Sequence, residues 1–381
     1  MMLDDNDRPS TDKIHTETRP GMSRRRLLSS LLGLGFTQMS AKYITREDID
    51  GAASDEVPIV IGMHSDDPMG EQTAYKRYVP ADWYNDYRHA TRMKHRIERS
   101  LGTLPGVVSI GVSPGEVGGD NSRLVVRLQD GDVRTTMGEV PTHVEGVEID
   151  VESVSGFEPI GCTDTLQNWS SSTATIRGGY EVRGNSNAPI GSVGAPAFKD
   201  GNRYLATCQH IFSGSDATGE TLKHPNGTSL GTVRHTKCNE DYAMVELNRG
   251  YRIKRAIRYS GYNGISGHFS YDGLGYLKSR GVNTQKVGRT TCRTSFAKIQ
   301  TTAETIYTAP GCLPKPYSVF HEDNSSGNDL KRGDSGSISF YESPNNSNRC
   351  WLVSFINYED GKTNDVFGIG IYRLADFGYN F

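Results

Sequence analysis

Three side chains that are far apart in the sequence have the types needed for nucleophilic catalysis. Ser335 stands in a Gly-Asp-Ser-Gly-Ser segment, residues 333–337, between a charged loop and an apolar run typical of a strand. A serine hydroxyl becomes a useful nucleophile only when a base removes its proton. Flanking glycines let backbone amides point at a developing oxyanion. The base has to come from elsewhere in the chain.

A base and a carboxylate are available upstream of the serine. His210 follows an apolar run at 204–207, and Asp241 stands at the head of another at 242–247. In this arrangement His210 would take the proton of Ser335, and Asp241 would hold the imidazole in its reactive tautomer. Rival residues nearby are His224, His235 and Glu240, which lack the spacings described below.

Composition indicates that strands position these side chains. The 381 residues include 43 glycines and many Val, Thr, Tyr and Ser residues, a mixture that favours short strands joined by turns. From residue 186 to Phe381, β-type runs recur between turns, and no useful helical period is visible before the very end. This pattern predicts a large sandwich or a pair of barrels.

Three motifs carry a resemblance to a known family. They are Thr-x-x-His at 207–210, Asp-x-Ala-hydrophobic-Val at 241–245 and Gly-Asp-Ser-Gly at 333–336. With them, the segment from Gly191 to Phe381 resembles the trypsin/chymotrypsin-like serine peptidases of bacteria and archaea. The resemblance implies a double β-barrel that hydrolyses peptide bonds through an acyl-enzyme, without metal or cofactor. The triad would be His210, Asp241 and Ser335, and the amides of Gly333 and Ser335 would form the oxyanion hole.

The resemblance also suggests binding residues. Asp329 lies six residues before Ser335, where an acidic residue in trypsin-like members binds Lys or Arg, although neighbouring cations could neutralise it. Asn357 and Tyr358 would line the pocket wall. In many relatives the carboxylate at the position of Asp334 pairs with a new N-terminus. No obvious activation sequence precedes Gly191, so we expect a side-chain cation to pair with Asp334.

Residues 80–155 predict a small α/β domain. Apolar residues recur at helical spacing over 80–101, and strand-like runs follow at 107–112, 124–128 and 145–151. This order resembles the pro-like module that precedes some bacterial and archaeal serine peptidase domains. An unrelated structural domain is the alternative.

The N-terminus and the cysteines suggest export. Ser23-Arg-Arg-Arg-Leu-Leu28 and the apolar run to Phe36 resemble a twin-arginine signal, and six cysteines suit an oxidising compartment. We therefore predict a secreted protein. Closeness along the chain favours two disulfides, Cys208 with Cys238 and Cys292 with Cys312.

Charge, hydropathy and the order of the candidate residues argue against several other classes of protein. The net charge of -3 gives no basic field for nucleic acid, and no apolar run is long enough for a stable membrane span. An α/β-hydrolase needs a histidine after its serine, and none follows His321. A subtilisin-like order would need a parallel α/β domain that the strand-rich pattern does not suggest.

The expected organisation is a mainly β fold, a chymotrypsin-like double β-barrel preceded by the small α/β pro-like domain. We predict a leader at 1–45, a linker at 46–79, the α/β domain at 80–155, a connector at 156–185 and the peptidase domain at 186–381. Two alternatives to an active secreted endopeptidase stay open. One is a non-catalytic binding module, and the other is a latent protease whose N-terminal domain covers the active site.

Overall fold

Strands dominate the structure, a computed structural model. It describes residues 38–53, 55–119, 121–155, 157–159, 175–184, 190–258, 260–289, 294–309, 311–323, 334–360 and 365–381. The predicted mainly β fold is confirmed. A sheet of seven strands carries His210 and Asp241 at its strand ends, and a larger sheet of 15 strands carries Ser335.

The N-terminal part begins with two short helices and continues with helices and strands in alternation. Its elements are α1 Gln38–Tyr43, α2 Arg46–Asp50, β1 Glu56–His64, β2 Thr73–Pro80, α3 Ala81–Leu101, β3 Val107–Ser113, β4 Arg123–Gln129, α4 Val133–Thr136, a 3₁₀ turn Met137–Glu139, β5 His143–Val144, β6 Val147–Val154 and β7 Phe157–Pro159. The predicted helix and its three strands are confirmed. Strand β4 pairs antiparallel with β3 and parallel with β6.

The predicted linker at 46–79 is wrong, because this segment forms α2 and the hairpin β1–β2. Strand β1 carries a run of six buried residues, 58–63, and has partners on both edges. Gly62 has no side chain because a Cβ there would lie 2.2 Å from the ring of Trp351. Because polar residues surround this short buried strand, the local sequence pattern did not predict it.

The middle of the chain forms the seven-stranded antiparallel sheet. After β8 Thr175–Gly178, its strands are β9 Glu181–Arg183, β10 Ile190–Ser192, β11 Ala195–Lys199, β12 Asn202–Thr207, β13 Thr221–Lys223, β14 Ser229–Lys237 and β15 Tyr242–Leu247. Their order in the sheet is β10-β9-β13-β14-β15-β12-β11. Leu205 pairs with Val245 and both are fully buried, so the register is set by the core.

The last part completes the larger sheet. This part begins with β16 Arg252–Ile257, which forms a separate two-stranded sheet with β8. The elements that follow are β17 Gly264–Phe269, α5 Tyr271–Ser279, β18 Asn283–Val287, β19 Thr294–Ile306, β20 Lys315–Asp323, β21 Ser337–Ser343, β22 Asn346–Ile356, β23 Tyr358–Asp360, β24 Val366–Ile369 and α6 Ile371–Asp376. The main path of this sheet runs β2-β1-β17-β22-β21-β18-β19-β20-β24-β23-β7, and β3 joins it by pairing with β19. None of the helices in the described ranges is long and apolar enough to span a membrane.

Helix α5 contradicts the expectation that no helix interrupts the strands. The Ser270 hydroxyl caps it by accepting a hydrogen bond from the amide of Gly273. Gly273 and Gly275 weaken the helical signal, but both are required by packing. A Cβ at Gly273 would lie 1.8 Å from the carbonyl oxygen of Ile61, and one at Gly275 would lie 2.6 Å from the ring of Tyr87.

Candidate active site

His210 and Asp241 meet because their strands are neighbours. Thr207, the last residue of β12, pairs with Ala243 near the start of β15. A 3₁₀ turn, Gln209–Ile211, follows β12 and directs His210 toward the head of β15. His210 Nδ1 lies 2.8 Å from Asp241 Oδ2. The contact orients the imidazole with Nδ1 as donor and leaves Nε2 for proton exchange.

The backbone around Asp241 fixes its carboxylate. The amides of Gln209 and His210 donate to Asp241 Oδ1 over 3.1 and 3.0 Å. Asp241 itself has φ of 49°, in the left-handed region, at the end of the 3₁₀ turn Cys238–Glu240. Asn357 Nδ2 donates to the carbonyl oxygen of Asp241 over 3.0 Å. These hydrogen bonds hold Asp241 in an unfavourable backbone conformation, as is common for residues at functional sites.

Electrostatics couple the two side chains. Burial lowers the pKa of His210, but the neighbouring Asp241 carboxylate and Cys208 outweigh it, so the pKa of His210 lies well above its ordinary value. Burial raises the pKa of Asp241, yet the imidazole and Lys315 outweigh that effect and lower it overall. Asp241 therefore stays ionised and stabilises a charged imidazole.

The Ser335 turn packs against the strand end that leads to His210. The carbonyl oxygen of Ser335 accepts a hydrogen bond from the amide of Ser192 over 2.8 Å, and Ser335 is fully buried. Gly336 has φ of 81°, and a Cβ there would lie 2.7 Å from Thr207 Oγ1 and 2.9 Å from the amide nitrogen of Cys208. Only glycine permits this close approach.

A thiol contacts His210 Nε2. Cys208 Sγ lies 3.6 Å from this nitrogen and is fully buried. The structure therefore brings His210 and Asp241 into direct contact, sets the backbone of Ser335 beside them, and places Cys208 at the imidazole edge. The sequence motifs gave no sign of this last contact.

A buried ion pair holds the residue before Ser335. Lys286 Nζ on β18 lies 2.9 Å from Asp334 Oδ2, and both side chains are fully buried. Asp334 also packs against Gly288, where a Cβ would lie 2.1 Å from Asp334 Oδ1. Lys286 is thus the side-chain cation that the sequence led us to expect for Asp334. Its identity was not predicted.

The expected binding residues divide into two groups. Asn357 and Tyr358 lie at the site, with the Tyr358 ring centroid 5.4 Å from that of His210 and its hydroxyl hydrogen-bonded to Asp241. Lys315, which the sequence did not single out, lies over the Tyr358 ring at 5.0 Å. Gly333 and Asp329 fall outside the described residues.

The expected disulfides are wrong where the structure describes them. Cys238 is bonded to Cys312, with 5.4 Å between their Cα atoms, and Cys208 is a free thiol. Closeness in the sequence was misleading because the start of β20 folds back onto the turn that precedes Asp241. Cys292 lies outside the described residues, but Cys312 is not its partner. The bridge ties the Asp241 turn to the segment before Lys315.

Metal binding finds no support in the described ranges. No group of three or more His, Cys, Asp or Glu side chains there is arranged to hold a metal ion.

Comparisons with known proteins find similarity among solved structures. No known protein family and no curated protein matches the sequence. Three solved structures each align with 54% of this chain over 98% of their own length. They are protease A of Thermobifida fusca (19% identity, TM-score 0.38), a chymotrypsin of Cellulomonas bogoriensis (15%, 0.39) and the α-lytic protease homolog N4 (14%, 0.37).

Proposed function

We propose that this protein is a secreted serine endopeptidase that hydrolyses protein or peptide substrates with His210, Asp241 and Ser335. The observation that carries the proposal is the contact of His210 Nδ1 with Asp241 Oδ2 at 2.8 Å, made by a carboxylate that two backbone amides hold in place. Such a buried pair prepares an imidazole to act as a base. The Gly-Asp-Ser-Gly motif and the packing of its turn beside His210 make Ser335 the proposed nucleophile.

In the proposed reaction, Ser335 Oγ attacks the scissile carbonyl carbon while His210 Nε2 takes the hydroxyl proton. The imidazolium then gives this proton to the leaving amine, and the peptide C–N bond breaks. Water, deprotonated by the same nitrogen, hydrolyses the acyl-enzyme and restores the serine. The amides of Gly333 and Ser335 are proposed to stabilise the oxyanion in both halves.

The thiol of Cys208 suggests a competing nucleophile. It faces the imidazole nitrogen that has to accept the proton in the first step. Burial does not separate the two candidates, because Cys208 and Ser335 are both fully buried. We assign the attack to Ser335 because it stands in the Gly-Asp-Ser-Gly motif, and the Cys208→Ala variant tests this choice.

The pairing of β7 with β23 favours a latent protease. Strand β23 runs beside His210, and an extended peptide could add to such an edge through main-chain hydrogen bonds. Strand β7 already occupies that edge: Pro159 pairs with Tyr358, and Phe157 pairs with Asp360. The Ser155 hydroxyl also hydrogen-bonds to the Asp360 carboxylate. We propose that β7, with Ser155 ahead of it, fills part of the substrate path.

The proposal also includes export of the protein from the cell and its substrate specificity. The Cys238–Cys312 disulfide suits an oxidising compartment, and the twin-arginine-like segment at 23–36 would supply the route. Asp329 would favour substrates with Lys or Arg before the cleaved bond. A cleavage profile on a peptide library would reveal this preference directly.

The test compares peptide-library cleavage by the wild type, Ser335→Ala and the control Ser215→Ala, an exposed serine on the loop after His210. We expect Ser335→Ala to lose activity by about 10³-fold or more, with Ser215→Ala unchanged. Equal cleavage by Ser335→Ala would contradict the assignment. If neither the wild type nor a variant with β7 displaced cleaves any peptide, the non-catalytic binding module becomes the better account.

A further inference from the structure

Lys315 places a buried ammonium beside the candidate active site. This residue begins β20, is 3% exposed and pairs with the fully buried Ile306 of β19. Its Nζ donates to the carbonyl oxygen of Cys238 over 3.4 Å and lies 5.0 Å from the Tyr358 ring centroid. No carboxylate in the described ranges forms an ion pair with it. A buried ammonium without an ion pair is costly, so its position calls for a reason in the surrounding charges.

One carbonyl oxygen brings Lys315 to the turn that carries Asp241. The Cys238 oxygen accepts a hydrogen bond from the amide of Asp241 over 3.1 Å, and the same oxygen accepts from Lys315. The disulfide between Cys238 and Cys312 joins this turn to the segment that leads into β20. Strand pairing and a covalent bond therefore hold the ammonium close to Asp241.

The Tyr358 side chain links Lys315 to the pair formed by His210 and Asp241. Tyr358 is 1% exposed, its ring centroid lies 5.4 Å from that of His210, and its hydroxyl is hydrogen-bonded to Asp241. The cation and the pair therefore share surroundings with little water. Charges in such a place interact more strongly than charges at a surface.

The charge of Lys315 acts on both members of the pair. Burial raises the pKa of Asp241, but the imidazole and, to a lesser extent, Lys315 lower it overall. Burial lowers the pKa of Lys315 itself, and the Asp241 carboxylate opposes this effect. A cation near an imidazole disfavours its protonated form. Lys315 thus works against the rise that Asp241 causes in the pKa of His210.

Other titratable groups on the elements around the pair have partners of their own. The Cys208 thiol contacts His210 Nε2. The remaining groups are Glu240 with Arg373 and Lys237, Asp360 with the Ser155 hydroxyl, and Asp334 with Lys286. Lys315 differs from these three cations because no ion pair neutralises its charge.

We propose, on the basis of the proposed function, that Lys315 is a positioning residue for peptide hydrolysis, whose ammonium keeps Asp241 ionised and helps the imidazole to release its proton. Asp241 alone would favour a charged imidazole that retains its proton. A general base has to take up a proton and give it up at the working pH. The ammonium offsets part of the Asp241 charge and so brings His210 closer to this requirement.

The first test measures the pKa of His210 without any substrate. Protein labelled with ¹⁵N at its histidines is titrated by NMR, and the signal of His210 is the one that disappears in His210→Gln. Lys315→Gln removes the charge but keeps a donor for the Cys238 carbonyl, and we expect it to raise the pKa of His210 by about 0.5–1. Lys315→Arg retains the charge and should leave this pKa unchanged.

Two further variants make the outcome decisive. Lys315→Met also removes the charge and should give the same rise, whereas Lys298→Met, an exposed lysine on the neighbouring β19, should give none. An unchanged or lowered pKa of His210 in the neutral variants, or an equal rise in Lys315→Arg, would overturn the proposal. If neither neutral variant folds, or if only the thermal unfolding temperature changes, Lys315 has a structural role and the proposal fails.

The second test separates the role of Lys315 from the proposed protease activity. In Lys315→Gln the acid limb of the kcat/KM profile should move to higher pH by the same amount as the pKa of His210. Peptide cleavage with an unmoved profile would refute the role of Lys315 and leave the protease assignment intact. A rise of the pKa in a protein that cleaves no peptide and takes no fluorophosphonate would refute the protease assignment instead, and with it any role of Lys315 in hydrolysis.

Discussion

Asp241 shows how single residues prepare the site. One carboxylate oxygen contacts His210 Nδ1, the other accepts from two backbone amides, and the residue is 2% exposed. With its position fixed in this way, the carboxylate can determine both the tautomer and the charge of the imidazole.

The pH dependence of activity tests this coupling. A general base has to be neutral, so activity is lost as pH falls through the pKa of His210, which Asp241 holds above the ordinary value of about 6.5. Asp241→Asn removes the charge, and we expect the midpoint of the kcat/KM profile to move to lower pH while kcat falls by about 10⁴-fold. A variant that keeps the wild-type midpoint would show that Asp241 does not set the pKa.

The sequence predicted part of this residue-scale picture. The spacing around His210 and Asp241 led to a pair that the structure places in contact. The Cys208 contact depends on the exact conformation of the 3₁₀ turn that follows Cys208, and the Cys238–Cys312 bridge depends on how a distant segment folds onto the turn before Asp241. Neither has a signature in the motifs.

At the scale of elements, β18 supports the turn that carries Ser335. Lys286 points into the interior between β18 and that turn, where it meets Asp334. A charge in such a place is tolerated only with its partner, since either one alone would be a desolvated ion.

Lys286→Met should therefore lower the free energy of unfolding by about 3–5 kcal/mol, because it takes the Lys286 ammonium away from the buried Asp334 carboxylate. The double variant Lys286→Met/Asp334→Asn should recover part of this loss, since it removes the charge of the buried carboxylate as well. Lys298→Met, an exposed lysine on the neighbouring β19, serves as control and should change stability by less than about 0.5 kcal/mol. Urea denaturation measures all three. A double variant less stable than Lys286→Met would contradict the ion-pair account.

Helices and strands with a long apolar pattern were predicted correctly from the sequence. Those whose position depends on tertiary packing were not. Helix α3 buries Trp83, Tyr84 and Tyr87 at helical spacing, and its bounds follow the sequence closely. The hairpin β1–β2 and helix α5 depend on glycines that fit against Trp351, Ile61 and Tyr87. Such contacts have no local signature in a single sequence.

At the scale of the whole molecule, the N-terminal part is continuous with the larger sheet. Strand β1 pairs with β17, β3 with β19, and β7 with β23. A buried ion pair adds to this union, with Arg127 Nη1 on β4 2.7 Å from Glu304 Oε1 on β19. The sequence suggested a separate pro-like module, and composition alone could not reveal that its strands extend the sheet of the other part.

The β7–β23 pairing predicts that releasing β7 increases activity. Glu158→Pro fixes φ and removes an amide donor in the middle of this three-residue strand. If β7 occupies the edge in about nine molecules of ten, hydrolysis of a short peptide should rise about tenfold. His143→Pro, in the edge strand β5, is the control and should leave the rate unchanged. Unchanged hydrolysis by Glu158→Pro would remove the basis for latency.

The central claim is that Ser335 is the nucleophile activated by His210. Labelling with a fluorophosphonate, followed by mass spectrometry of the peptides, tests it most directly. We predict one adduct, on Ser335, formed by the wild type and by Cys208→Ala and lost in His210→Ala. Absence of an adduct on Ser335 in the folded protein, both with and without Glu158→Pro, would contradict the account.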